Sequence, residues 1–268
     1  MMDYHVHSTY SVDSRMSMEE ACLRAIEAGL MEIAFTDHID IDWPDTAIPP
    51  FDVKMLDEYF EDIEKMQDRF KGQLVIKKGI EIGLQPHILD ECADIVRSYP
   101  FDFVIASVHL IGGVDPYLGE YYRGKTKKES YEEYYREILK LIKYFDQFNV
   151  LGHLDYIKRY SPFPVEKTDH LLCISLIDEI LKTLIRKGKG LEINTSGYRH
   201  ASGTPMPHPD IIKRYRDMGG TIITLGSDAH APEHVSFGFE NALLEIKRSG
   251  FDALTSFTGM QPKSVAIP

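Results

Sequence analysis

The feature that most constrains this chain is a repeat of pattern, not of sequence. Short apolar runs with strand character alternate seven times with helical stretches, and six of the runs end in histidine, aspartate or glutamate. Such alternation predicts parallel strands covered by helices, as an open wound sheet or a closed barrel. The ends decide between them. A barrel opens every strand's C-terminal end on one face, whereas an open sheet would strand the first and last ends too far apart to share a site. The expectation is therefore an α/β protein of one domain over residues 1–268, a (β/α)7 TIM-like barrel, which the length of 268 residues suits and no linker interrupts.

In chain order, Asp3-Tyr4-His5-Val6-His7 opens as a strand that aims the imidazoles of His5 and His7 to one side, with Asp13 close behind. Ser17 to Glu20 has the form of a capping box and starts helix one. Strand two, residues 31–35, delivers Thr36-Asp37-His38. A loop through Pro44, Pro49 and Pro50 leads to a helix with apolar residues from Leu56 to Phe70. Strand three, residues 74–79, runs into Glu81, whose carboxylate among apolar neighbours requires a partner. A helix over 86–97 precedes strand four, 101–108, and His109. The Gly- and Tyr-rich segment 111–125, with Tyr117, reads as a long loop over the active face. A helix from the capping box Thr126–Glu129 to Phe145 leads to strand five, 149–152, and His153. A helix over 168–187 precedes strand six, 190–194. His208-Pro209-Asp210 opens the next helix, and strand seven, 221–225, ends in Gly226-Ser227-Asp228-Ala229-His230. A last helix holds Ala242, Leu243 and Ile246, and 254–268 has room for one short strand at most.

Of eleven histidines, His5, His7, His38, His109, His153 and His230 sit just beyond strands, and Asp13, Glu81 and Asp228 share that position. Histidines serving only the core would not gather at one end of successive strands. Nine such side chains without thiolates form a divalent-metal ligand set suited to Zn, Mn or Fe. The other five, His87, His170, His200, His208 and His234, fall in loops or helix starts and carry no assignment. Three scattered cysteines read as free thiols. A formal net charge of −12 and no basic groove weigh against nucleic-acid partners. No apolar run is long enough for a bilayer, and the start has no secretory pattern, so a cytoplasmic protein without membrane contact is expected.

Taken in order, His5-Val6-His7 with Asp13, Thr36-Asp37-His38, Gly79-Ile80-Glu81, Ser107-Val108-His109, Gly152-His153-Leu154-Asp155 and Ser227-Asp228-Ala229-His230 resemble the motifs of the polymerase and histidinol phosphatase (PHP) superfamily. The length, the Tyr-rich segment after His109, Ile157-Lys158-Arg159-Tyr160 and Asn194-Thr195-Ser196-Gly197-Tyr198-Arg199 resemble its histidinol-phosphate phosphatases. The resemblance implies a distorted seven-stranded barrel with two to three divalent ions. It places the first ion on His5, His7, Glu81 and Asp228, the second on Glu81, His109 and His153, and the third on Asp13, His38 and His230. It implies hydrolysis of a small phosphate monoester, L-histidinol phosphate, in histidine biosynthesis. The expected chemistry is attack on phosphorus by hydroxide bridging the ions, with Glu81, Asp228, His230 and Arg199 at the reacting centre. Arg199, Arg159 and Lys158 are expected to grip phosphate oxygens, and Tyr117 to close the pocket. Asp40, Asp42 and Asp155 are candidates to orient ligand histidines. A phosphoesterase for nucleotides or other phosphomonoesters, and a noncatalytic metal-binding module, are the alternatives.

Overall fold

The computed structural model describes residues 1–44 and 53–267, so Pro49, Pro50 and Pro268 lie outside the described residues. Strands β1 (Met2–Val6), β2 (Glu32–Phe35), β4 (Val75–Gly83), β5 (Phe103–Ser107), β6 (Val150–Leu151), β7 (Gly190–Asn194) and β8 (Ile223–Gly226) hydrogen-bond in that order, all parallel, with the two-residue β3 (His38–Ile39) also on β4. Helices α1 (Met18–Glu27), α2 (Leu56–Arg69), α3 (Leu89–Ser98), α4 (Lys127–Tyr144), α5 (Ile174–Arg186), α6 (Pro209–Asp217) and α7 (Phe239–Arg248) follow the seven barrel strands. The (β/α)7 barrel expected from the pattern is therefore the fold, nearly closed and distorted as the family resemblance implies.

Local chemistry accounts for several boundaries. Both capping boxes form: Ser17 with Glu20 and Thr126 with Glu129 exchange side-chain and backbone hydrogen bonds at the starts of α1 and α4. His208 caps α6 with Pro209 in its first turn, where the missing N–H costs nothing. The predicted loop 111–125 contains two short 3-10 turns, Pro116–Leu118 and Glu120–Tyr122, and buries Tyr121 and Tyr122.

The seam between β8 and β1 is closed by few backbone bonds, chiefly His7 N–H to the Ala229 carbonyl at 2.9 Å. Side chains complete it. The Asp3 carboxylate accepts from Ser227 N at 2.9 Å, Ser227 Oγ at 2.5 Å and Ser236 N at 3.0 Å. Burial pushes the Asp3 carboxyl up to about 6 against the pull of those donors.

One strand departs from regular register, and one expectation needs correction. The register of β1 against β2 slips between Asp3 and Val6. A bulge adds a residue, and both Tyr4 and His5 reach across the barrel: Tyr4 meets Phe103 edge to face, and His5 meets Glu81 and Glu192. Period-two alternation holds only for His5 and His7, on either side of the buried Val6. The C-terminal stretch is a hairpin, β9 (Ala253–Thr258) with antiparallel β10 (Gln261–Ala266), where one strand at most was expected. Thr258-Gly259-Met260-Gln261 makes its turn, with positive φ at Gly259 and Met260. The hairpin plugs the barrel floor. Phe257 packs on Phe103, Phe257 N and Ser256 bond Tyr4 Oη, and Thr258 Oγ1 accepts from the buried Lys77 at 2.8 Å.

Candidate metal centre

Five of the predicted histidines converge on the Glu81 carboxylate, which β4 carries into the barrel's upper end. Its oxygens lie 2.9 Å from His38 Nδ1, 2.9 Å from His153 Nε2, 3.2 Å from His5 Nε2, 3.3 Å from His109 Nε2 and 3.6 Å from His7 Nε2. Ser107 Oγ donates to it at 2.6 Å. Asp228 Oδ1 stands 3.6 Å from His7 Nε2 and 3.9 Å from His5 Nε2. Asp13 Oδ2 stands 3.2 Å from His230 Nε2 and 3.9 Å from His38 Nε2. All nine predicted ligands thus share one mouth, although β1, β3 and β4 place His5, His38 and Glu81 within strands rather than beyond them.

The donor set fits divalent ions. Two ligands each about 2.1 Å from one ion stand about 3.4 Å apart at a tetrahedral angle. The spacings of 3.2–3.6 Å match this, but several are long for hydrogen bonds. His7 Nε2 is buried with no hydrogen-bond partner among the described residues, equidistant from Glu81 and Asp228. An ion there would relieve a nitrogen that is otherwise costly to bury.

The protonation pattern points the same way. Burial alone would raise Glu81, but His5, His38 and His109 hold its carboxyl well below the usual range. Asp228 is held low in the same manner, by His5, His230 and Arg159 against burial. In turn the carboxylates overcome burial and raise His5, His38 (to about 9) and His109. His7 goes the other way, lowered by burial and by the neighbouring His230 and His38. Imidazolium charge balances the carboxylates, a role that divalent cations bound among these groups would take over by displacing protons.

Behind the ligands stands a second ring. Asp40 Oδ1 holds His109 Nδ1 at 2.9 Å, as expected. Gly83 makes this pairing possible, because a Cβ there would lie 1.8 Å from that oxygen. Ser11 Oγ bonds His7 Nδ1 at 2.9 Å and donates to the buried Asp37 at 2.7 Å. Glu192 bonds His5 Nδ1 at 2.5 Å. Asp42 and Asp155 take no such part: Asp42 pairs with His87 on the surface, and Asp155 accepts from Lys158 Nζ at 2.6 Å and His208 N at 3.1 Å. Ser11, Asp37 and Glu192 had no assigned role. For Glu192 the signal was present, a glutamate between Leu191 and Ile193 in an apolar strand, the same anomaly that singled out Glu81.

A cavity of about 370 Å³ opens beside the cluster, lined by Asp13, Arg159, Arg199, His200, His230 and His234. Arg159 Nη1 reaches Asp228 Oδ2 at 3.3 Å, its Nε is buried without a partner among the described residues, and its guanidinium lies over Tyr160. Arg199 donates to the Ser227 and Asp228 carbonyls at 2.9 Å each, bracing a turn in which Asp228 has φ of 53°. Lys158 departs from expectation: buried and bonded to Asp155, it does not line the cavity. Tyr117 is 65% exposed at the rim, edge-on to Tyr160, and does not close over the cluster. His200 and His234 were left unassigned yet face the cavity. Burial and the flanking Arg159 and Arg199 push the His200 imidazole down to about 4, so it is neutral.

Comparison with known proteins agrees with this geometry. The PHP domain family model matches residues 3–196. A histidinol-phosphatase of Lactococcus lactis subsp. lactis (strain IL1403) is 37% identical over 262 residues, 97% of this chain and 95% of that protein. A probable histidinol-phosphatase of Clostridium acetobutylicum is 33% identical over 245 residues, 91% of each. The crystal structure of the Lactococcus lactis histidinol phosphate phosphatase, complexed with Zn, L-histidinol and phosphate, superposes with a TM-score of 0.90 at 36% identity over 98% of both chains.

Proposed function

The chain belongs to the PHP domain family, and from that premise we propose that it is a metal-dependent phosphomonoesterase that hydrolyses L-histidinol phosphate to L-histidinol and inorganic phosphate. The observation that carries this reading is likeness along nearly the whole chain to a protein solved with Zn, L-histidinol and phosphate. The side-chain geometry supports it independently.

His5, His7, Glu81 and Asp228 would hold one ion, Glu81 with His109 and His153 a second, and Asp13 with His38 and His230 a third. Divalent ions so placed activate water, hold phosphate oxygens and neutralise charge as phosphorus is attacked. The chain's own part is to fix and shape the site. Glu81 would serve the first two positions, with one oxygen beside His5 and His7 and the other beside His109 and His153. Arg159 offers donors into the cavity and grips the non-reacting phosphate oxygens. Arg199 holds the Asp228 turn from behind while its other edge faces the same cavity. A small ester fits a cavity of this size, and none of the described helices is long and apolar enough to cross a membrane.

The test is a panel of phosphate esters with protein of measured metal content, before and after chelation. Hydrolysis is expected to favour histidinol phosphate over nucleotides and other phosphomonoesters, to vanish with a chelator, and to return with Zn or Mn. Preference for a nucleotide would transfer the activity to a different ester, and full activity in metal-free protein would remove the metal centre from it.

A further inference from the structure

Glu192 stands at mid-barrel on β7 with both carboxylate oxygens committed. Oε1 takes His5 Nδ1 at 2.5 Å, and Oε2 takes the backbone N–H of His153 at 2.7 Å and Asn194 Nδ2 at 3.2 Å. It is 1% exposed. The first contact fixes the His5 tautomer with the proton on Nδ1, leaving the Nε2 lone pair free to face Glu81. The second holds the end of β6, from which His153 projects toward the other oxygen of Glu81. The fold reserves the space: a Cβ on Gly226 would lie 2.5 Å from His5 Cβ and 2.6 Å from Glu192 Oε1.

We infer that Glu192 is a positioning residue that serves two ion positions at once, orienting His5 at the first and His153 at the second. The inference rests on reading the cluster as an ion site. Its chemical content is that both oxygens must accept. In Glu192→Gln one oxygen becomes an NH2 donor. Turned toward His5, the amide nitrogen favours the tautomer that places the proton on Nε2, which removes the ligand lone pair. Turned the other way, it confronts two donors, His153 N–H and Asn194 Nδ2. Neither orientation preserves both positions, so a single isosteric change disturbs at least one of the two ions although the residue touches neither. Glu192→Asp keeps both acceptors but shortens the reach by a methylene, so it serves one partner at a time.

The test is titration of chelator-stripped, folded protein with Zn²⁺ against a chromophoric competitor, which resolves the affinities of successive ions. The wild type is expected to take up at least two tight ions, and Glu192→Gln to bind at least one of them about 10- to 100-fold more weakly. Glu192→Asp is expected to weaken at least one of them, and it carries the test if the glutamine variant does not fold. A residue that only supports the fold would lower the melting temperature of the stripped protein and leave both affinities unchanged. That result in folded Glu192→Gln overturns the inference. Wild-type protein that binds no tight Zn²⁺ overturns the metal-centre reading beneath it instead.

Discussion

Glu81→Gln is expected to lower kcat/KM for histidinol phosphate on the order of 10⁴-fold or more, as does loss of one member of a catalytic group that acts as a unit. The reason is topological. One carboxylate lies within 3.6 Å of five imidazoles, two of them His5 on β1 and His7 just beyond it, and two His109 and His153 beyond β5 and β6. The glutamine is isosteric but neutral, so it deprives two ion positions of a negative ligand and turns an NH2 toward imidazole nitrogens that require an acceptor. Steady-state kinetics with elemental analysis checks this. Activity within tenfold of wild type, with ions retained, would show that Glu81 does not bridge.

Arg159→Ala is expected to lower kcat/KM by about 10²- to 10³-fold, the range for removal of one preorganised donor to a charged transition state. Arg159 is nearly buried, flanked by Tyr156 and Tyr160, with a contact to Asp228 at 3.3 Å and an Nε that has no hydrogen-bond partner among the described residues. Such a guanidinium is held in place without spending all its donors on the protein. Arg159→Lys should recover little, because an ammonium supplies no planar fork for two phosphate oxygens. Kinetics of both variants on histidinol phosphate decide it. A change below threefold in the alanine variant would leave phosphate binding to Arg199 and the ions.

How much was legible in the sequence follows from which interactions are periodic. The barrel was legible because each parallel strand is buried on both faces and each helix on one, which imprints alternating patterns. The ligands were legible because titratable residues at the ends of apolar strands are anomalous wherever they fall, and His5, His38, Glu81, His109, His153 and Asp228 repeat the anomaly. What escaped depends on the third dimension. The bulge in β1 is a matter of register with β2, and nothing in Tyr4-His5 announces it. Lys158 and Arg159 are adjacent and equally basic, yet a 3-10 turn over Tyr156–Lys158 directs one to Asp155 and the other to the cavity. His200 and His234 face the cavity from loops with no periodic signal. The floor hairpin escaped because β10 is largely exposed and carries Pro262 and Lys263, edge-strand residues that lack the apolar run sought for a strand.

The central claim is that nine side chains hold divalent ions around one glutamate, and anomalous diffraction from crystals of the Zn-loaded protein tests it most directly. The predicted map has one peak among His5, His7 and Asp228 and another between His109 and His153, both against Glu81 and about 3.5 to 4 Å apart, with a third beside Asp13, His38 and His230 if that position fills. A fully active crystal form with no anomalous density beside Glu81 would contradict the account.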